Sequence, residues 1–167
     1  WGGFTGVVSG MNIQGLSITL NASKSSIPTG SATPVSLIGR EILQYAKNIE
    51  EAIKIAKTKK SFVAETFMIT SANDNKTVII EKTPETTAVA YPTKNYIICT
   101  NHNQSKKLAN TDINKEQMSN SASVYRYNRI EELLSKVNKN TPQSTAAILR
   151  NQLGLNDNFI GYGNEKA

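Results

Sequence analysis

Two asparagines stand where apolar strands are predicted to end, and their side chains are the best candidates for chemistry. Asn21 ends the run Leu16–Asn21, and Asn101 follows the run Tyr96–Thr100. A side-chain amide at the end of a buried strand can donate an N–H to an oxyanion that develops during acyl transfer. The alternative is that each asparagine starts a turn, a position that Asn favours. The first interpretation predicts that the two amides meet at one cleft.

Most other catalytic arrangements are missing from the sequence. There is no Walker-type phosphate loop and no Gly-x-Ser-x-Gly elbow, and the single histidine is His102. We interpret His102 as a loop or supporting residue beside Asn101. The single cysteine, Cys99, excludes an internal disulfide and a multi-cysteine metal site. Strand alternation puts Cys99 on the same face as Asn101, but free cysteines are usually buried, so we expect a packed thiol. The sequence predicts no metal and no cofactor.

The charge pattern argues against nucleic-acid and membrane partners. The formal net charge is +6, but the lysines are scattered, and the cluster at Lys57–Lys60 has no interleaved aromatic residues. We interpret that cluster as the solvated end of a helix, where cations are favourable. No apolar run approaches the length of a membrane span. We therefore expect no nucleic-acid partner and no membrane span.

The apolar spacing predicts one α+β domain over residues 1–167. A loop rich in Ser, Thr and Pro is expected over Ser23–Pro34, and an irregular polar segment over Asn101–Ser119. Six strands, in blocks of two and four, could form two stacked sheets with helix pairs outside. The strands are predicted at Phe4–Met11, Leu16–Ala22, Thr66–Ala72, Lys76–Lys82, Thr86–Tyr91 and Asn95–Thr100. Four helices are predicted. The first covers Val35–Lys47, the second begins after the N-cap Asn48, the third covers Asn120–Val137, and the last runs from the N-cap Thr141 to Leu153.

The order of these motifs resembles the penicillin acyltransferase family of N-terminal-nucleophile hydrolases, which is related to the bile-salt hydrolases and penicillin V acylases. The resemblance covers roughly Gly3 to Leu153 and lies in three places: the strand–turn–strand at Gly6–Leu16, the loop and helix at Pro28–Leu43, and Ile98–His102. The turn has Ile-Gln where the family has Glu-x, a change at a solvent-facing position.

The resemblance implies an αββα sandwich that cleaves linear amide C–N bonds. In this family a Cys freed at a new N-terminus by autocleavage attacks the amide, and its own α-amino group is the base. Asn21 and Asn101 match the two active-site asparagines of the family. Arg126 resembles the arginine that steadies the nucleophile, with Arg129 as a rival one helical turn later. The strand and turn that carry Met11 and Asn12 are implied to bind substrate.

The chain departs from the family at its start. It begins with Trp1, which has no nucleophilic side chain, and it lacks the family's Asp downstream of the nucleophile. We therefore expect a core fragment, incomplete at both ends, whose Cys nucleophile lies upstream of Trp1.

The expected partners are a small-molecule amide or acyl donor and the remainder of the chain's own precursor. We expect the isolated chain to be inactive. The alternative is a binding module that keeps the fold without catalysis. Monomer and oligomer are both compatible with the sequence, and the Asn- and Lys-rich composition is typical of a low-GC bacterial gene.

Overall fold

A computed structural model describes residues 2–26 and 30–160, and its centre is one five-stranded antiparallel sheet. Each strand pairs with the next strand along the chain, so the sheet order is β1-β2-β3-β4-β5. The longest pairings join the three seven-residue strands in the middle. The strands are β1 (Ser9–Met11), β2 (Leu16–Ala22), β3 (Glu65–Ser71), β4 (Lys76–Lys82) and β5 (Thr87–Ala90).

Helices fall into two groups within the described residues. The first two lie between β2 and β3 in sequence, and the others follow β5. The α-helices are α1 (Val35–Tyr45), α2 (Ile49–Thr58), α3 (Asp112–Asn120), α4 (Ser123–Ser135) and α5 (Pro142–Leu149), followed by a 3-10 turn at Leu155–Asp157. The expected caps are present: Asn48 Oδ1 accepts the Glu51 N–H at 2.9 Å, and Thr141 forms a capping box with Ser144.

The apolar core lies between α1, α2 and one face of the sheet. Alternate residues of β2, β3 and β4 point to this face, as the period of a strand requires. They meet the apolar stripes of α1 and α2, which recur at helical spacing. Burial of this surface is the main favourable term in folding. The central members are Leu16, Ile18, Ile38, Ile42, Ala52, Phe67, Ile69, Val78 and Ile80, all with 2% or less of their surface exposed.

The opposite face of the sheet carries a row of polar side chains at one end. The strand register places Asn21 opposite Thr66, and Thr66 opposite Glu81. Opposed residues of this kind have Cβ atoms about 4.5–5.5 Å apart, so the three side chains form one line across the sheet. Thr66 and Glu81 are fully buried, because residues 98–105 lie over them. This row positions the candidate site.

The α+β class predicted from the sequence is confirmed, but the strand count is not. The predicted strand Asn95–Thr100 is wrong, since these residues pair with no strand, and the described residues form one sheet rather than two. Side-chain amides take the place of a neighbouring strand here. Gln104 Nε2 donates to the Ile98 carbonyl at 2.7 Å. Asn21 Nδ2 approaches the carbonyls of Cys99 and Thr100.

The largest further differences from the prediction concern three segments. The segment Asn101–Ser119, expected to be irregular, contains most of α3, whose one buried residue is the polar Asn114. The first strand is confined to Ser9–Met11, because Val7 N–H donates to the Ser36 carbonyl at 2.8 Å instead of to the sheet. Helix α5 ends at Leu149, short of the predicted Leu153.

Glu65 at the start of β3 makes stability depend on pH. Its Oε2 is buried without a hydrogen-bond partner in the described part of the chain, and burial raises the pKa of the carboxyl from 4.5 to about 7. Between these values the unfolded chain releases the proton and the folded chain keeps it, so stability falls as pH rises from about 4.5 to about 7.

We expect Glu65→Gln to remove most of this fall in stability. Thermal unfolding on both sides of that interval measures it, with Glu50→Gln at an exposed position of α2 as the control. Equal pH dependence of Glu65→Gln and the parent chain would contradict this.

Candidate active site

The side chains of Asn21 and Asn101 lie together at the polar end of the sheet. Asn101 Nδ2 donates to the Ala22 carbonyl at 2.8 Å. Asn21 Nδ2 lies 3.5 Å from the Cys99 carbonyl and 3.4 Å from the Thr100 carbonyl. Each amide therefore contacts the backbone next to the other asparagine. The two asparagine side chains therefore lie close to each other at this end of the sheet.

Arg126 of α4 fixes the orientation of the Asn101 amide. Its Nη2 donates to Asn101 Oδ1 at 2.6 Å. Because a guanidinium has only donors, the amide oxygen must face Arg126, and the amide nitrogen must face the Ala22 carbonyl. An Asn amide has two N–H groups, and the contact with the Ala22 carbonyl uses one of them.

The rival arginine, Arg129, has a different role. Only 5% of its surface is exposed, and its Nη2 donates to Asp157 Oδ1 at 2.7 Å and to Asn151 Oδ1 at 3.1 Å. Its Nη1 lies 2.9 Å from Glu132 Oε1. These contacts hold the chain after α5 against α4. The geometry thus associates Arg126, and not Arg129, with the asparagines.

A buried cluster of hydroxyls and an imidazole holds the backbone of Asn101. Asn101 N–H donates to Ser123 Oγ at 2.8 Å, and this oxygen lies 2.8 Å from His102 Nδ1 and 3.0 Å from Thr100 Oγ1. Burial lowers the pKa of His102, and the charge of Arg126 lowers it further. The contact between Ser123 and His102 resembles an activated serine, but Ser123 is fully buried and accepts the N–H of Asn101. We therefore interpret His102 and Ser123 as supporting residues.

Cys99 is a packed thiol rather than an exposed nucleophile. Its Sγ lies 3.4 Å from Thr66 Oγ1 and 3.7 Å from the Thr100 carbonyl oxygen. Burial raises the pKa of the thiol to about 11. The thiol is therefore protonated near neutral pH, whereas the thiolate is the nucleophilic form.

Met11 and Asn12 lie at the other end of the sheet. Asn12 sits in the β1–β2 turn, where its Nδ2 donates to two carbonyls at the end of α1, at 3.1 and 2.8 Å. Its Oδ1 accepts two N–H groups of its own turn, both at 3.0 Å. Met11 is 75% exposed. At about 3.3 Å per residue, the length of β2 separates this turn from Asn21 by roughly 16 Å. The structure does not bring these two residues to the asparagines.

The residues of the candidate site all lie within the segment of the chain that matches one protein-family model. A model of the family described as acyl-coenzyme A:6-aminopenicillanic acid acyl-transferase matches residues 2–159. The chain belongs to this family. The match includes Asn21, Asn101 and Arg126, and it confirms the resemblance found in the sequence. A search of curated proteins found no match.

Membership of the acyltransferase family carries a general fold and chemistry. The fold is α+β of the N-terminal-nucleophile type, and the activity is of the acyltransferase or hydrolase type in general. In the described ranges, no three His, Cys, Asp or Glu residues form a group able to hold a metal ion. None of the helices described is both long and apolar enough to cross a bilayer.

A cavity of about 380 Å³ lies beside Arg126 of this acyltransferase-family site, and neither Asn21 nor Asn101 is among its lining residues. Arg126, Cys99 and Thr100 form the part of its wall that belongs to the site. The rest comes mainly from apolar side chains of α4 and α5, with Arg129 and Asn151 as further polar residues. The space can hold the apolar part of a small molecule beside Arg126. The apolar lining includes Ile130, Leu133, Ile148, Leu149, Leu153 and Ile160.

Proposed function

We propose that this chain is the core of an enzyme that cleaves linear amide C–N bonds, either as a hydrolase or as an N-acyltransferase. The observation that carries the proposal is that the Asn21 and Asn101 amides each contact the backbone beside the other asparagine, while Arg126 binds the Asn101 amide oxygen. Two amide donors held close together at one end of the sheet can stabilise a negative oxygen. The contacts of Asn21 Nδ2 with the Cys99 and Thr100 carbonyls are long, at 3.5 and 3.4 Å, so in this proposal the oxyanion replaces them. In this proposal Asn21 and Asn101 donate to the oxyanion, and Arg126 keeps the Asn101 amide in its donating orientation.

The nucleophile in this proposal is a Cys that lies upstream of Trp1 and becomes N-terminal by self-cleavage. Its α-amino group takes the thiol proton, the sulfur bonds to the amide carbon, and the carbonyl oxygen becomes the oxyanion. The C–N bond then breaks as the amine takes up the proton. Water, or an acceptor amine in the transferase version, attacks the resulting thioester and frees the sulfur. The raised pKa of the Cys99 thiol and the burial of Ser123 support a nucleophile from outside the described residues.

The substrate in this proposal is a small-molecule amide or acyl donor whose apolar part occupies the cavity beside Arg126. The remainder of the precursor chain is the obligatory partner, because it supplies the nucleophile. The 167-residue chain alone is therefore expected to turn over no amide.

The test is N-terminal sequencing and intact-mass measurement of the protein made from the complete reading frame. A mature chain that begins with Cys upstream of Trp1 is expected. It should release a primary amine from benzylpenicillin, an N-acyl derivative of 6-aminopenicillanic acid, or a thiol from an acyl-coenzyme A. An uncut chain that binds these probes without turnover would overturn the proposal and favour the binding-module alternative.

A further inference from the structure

Glu81 is a buried carboxylate, and both of its oxygens accept hydrogen bonds from one loop, residues 101–105. It lies in β4, and its side chain is fully buried. Oε1 accepts the N–H groups of Gln104 and Ser105. Oε2 accepts the Ser105 hydroxyl at 2.5 Å and lies 3.2 Å from the Ser105 N–H. One carboxylate therefore binds two successive residues of the loop.

The chemistry of this contact points to a role in geometry rather than in stability. A buried charge costs free energy, and an apolar replacement is often as stable or more stable. A carboxylate accepts on both of its oxygens, so it can accept all three donors at once, whereas a Gln amide offers one accepting oxygen and its nitrogen could only donate to the Ser105 hydroxyl. Hydrogen bonds to an ionised acceptor are about twice as strong as neutral ones. Glu81 thus holds Gln104 and Ser105 at one fixed place on the sheet.

The clamped loop is the one that carries Asn101. Further contacts hold it between the clamp and the asparagine: Gln104 Nε2 donates to the Ile98 carbonyl at 2.7 Å, and Asn103 N–H donates to Asn114 Oδ1 at 2.7 Å. The register also places Glu81 in the same row as Asn21, with only Thr66 between them. The positions of both amides therefore depend on the same row of residues across the sheet, Asn21 directly and Asn101 through the loop that Glu81 binds.

We propose that Glu81 is a positioning residue that keeps the Asn101 amide beside the Asn21 amide. It acts through the loop 101–105 and does not contact the substrate. This inference rests on the proposed function, because the consequence of misplacement is a loss of oxyanion stabilisation. A misplacement on the order of 1 Å can lower a rate about 100-fold.

The experiment compares Glu81→Gln with the parent in the mature protein from the complete reading frame. With benzylpenicillin as probe, we expect kcat to fall on the order of tenfold to 100-fold while KM stays within about twofold. Hydrogen–deuterium exchange of peptides covering residues 99–105 should become faster in the variant. Ser105→Ala, which removes one of the donors and keeps the carboxylate, should give a smaller change of the same kind. It also provides the test if Glu81→Gln does not fold.

Ile79→Val is the matched control. Ile79 lies two residues before Glu81 on the same face of β4 and is also fully buried. Its apolar side chain cannot form hydrogen bonds with the loop. It should lower the melting temperature without slowing catalysis or changing exchange at 99–105. The inference is overturned if Glu81→Gln keeps the kcat of the parent, or if Ile79→Val loses as much kcat as Glu81→Gln.

The outcome for Glu81 can be told apart from the outcome for the proposed function. A parent protein that neither self-cleaves nor turns over the probe overturns the proposed function and the kinetic consequence of Glu81 with it. In that case the exchange measurement still decides whether Glu81 holds the loop. An active parent with unchanged exchange in Glu81→Gln overturns the clamp alone.

Discussion

Replacing Asn101 by alanine is expected to lower kcat of the mature enzyme about 100- to 1000-fold, the usual result of removing one oxyanion donor. The substitution deletes the Nδ2 donor and leaves Arg126 Nη2 without its 2.6 Å acceptor. The loss should fall on kcat more than on KM, because the donor acts on the charge that develops in the transition state. Steady-state kinetics with benzylpenicillin measures it, with folding checked by thermal unfolding.

Asn73→Ala is the matched control for this prediction. Asn73 lies in the β3–β4 turn, and its Nδ2 donates to the carbonyls of Gln14 and Lys47 at 3.2 and 3.3 Å. The same atoms are removed there, at the end of the sheet away from Asn21. Asn73→Ala should keep kcat close to that of the parent. A kcat for Asn101→Ala within about threefold of the parent would remove Asn101 from the catalytic machinery.

The elements that bury an apolar face could be predicted from the sequence. Strand β2 alternates cleanly from Leu16 to Asn21, and α2 has both an apolar stripe and the Asn48 cap. In these elements the local pattern and the tertiary environment demand the same structure. Their types, and the α+β class that follows, are therefore correct.

The elements that bury polar groups could not be predicted. Residues 95–100 have the apolar pattern of a strand, because one side is buried, but their carbonyls bind side-chain amides of Gln104 and Asn21. Helix α3 lacks an apolar stripe and is held instead by Asn114, whose amide contacts the carbonyls of Asn103 and Ala109. Such contacts join distant parts of the chain, and no local period encodes them.

The candidate site was predictable in its asparagines and only partly in its surroundings. Arg126 and Arg129 lie one helical turn apart, and the sequence left both open; the structure separates them by their partners. Glu81 was missed, although it left a signal. It shares a strand face with buried Ile79, so a charge there had to meet a set of donors.

Replacing Phe67 by alanine is expected to cost about 3–5 kcal/mol of stability, a large share of the roughly 5–15 kcal/mol typical of a domain. Phe67 is the largest fully buried side chain described, and it lies in β3, the middle strand, beneath α1. There its ring edge approaches Gly39, where an added Cβ would be 3.5 Å from Cε1. Because core side chains are close-packed, the neighbours relax only partly into the space, and a cavity remains. Urea unfolding measures the loss of stability, and Phe67→Leu should lose less.

Phe62→Ala, at a position 46% exposed, is the control and should change stability little. Equal losses for Phe67→Ala and Phe62→Ala would show that the core does not lie between α1 and this face of the sheet.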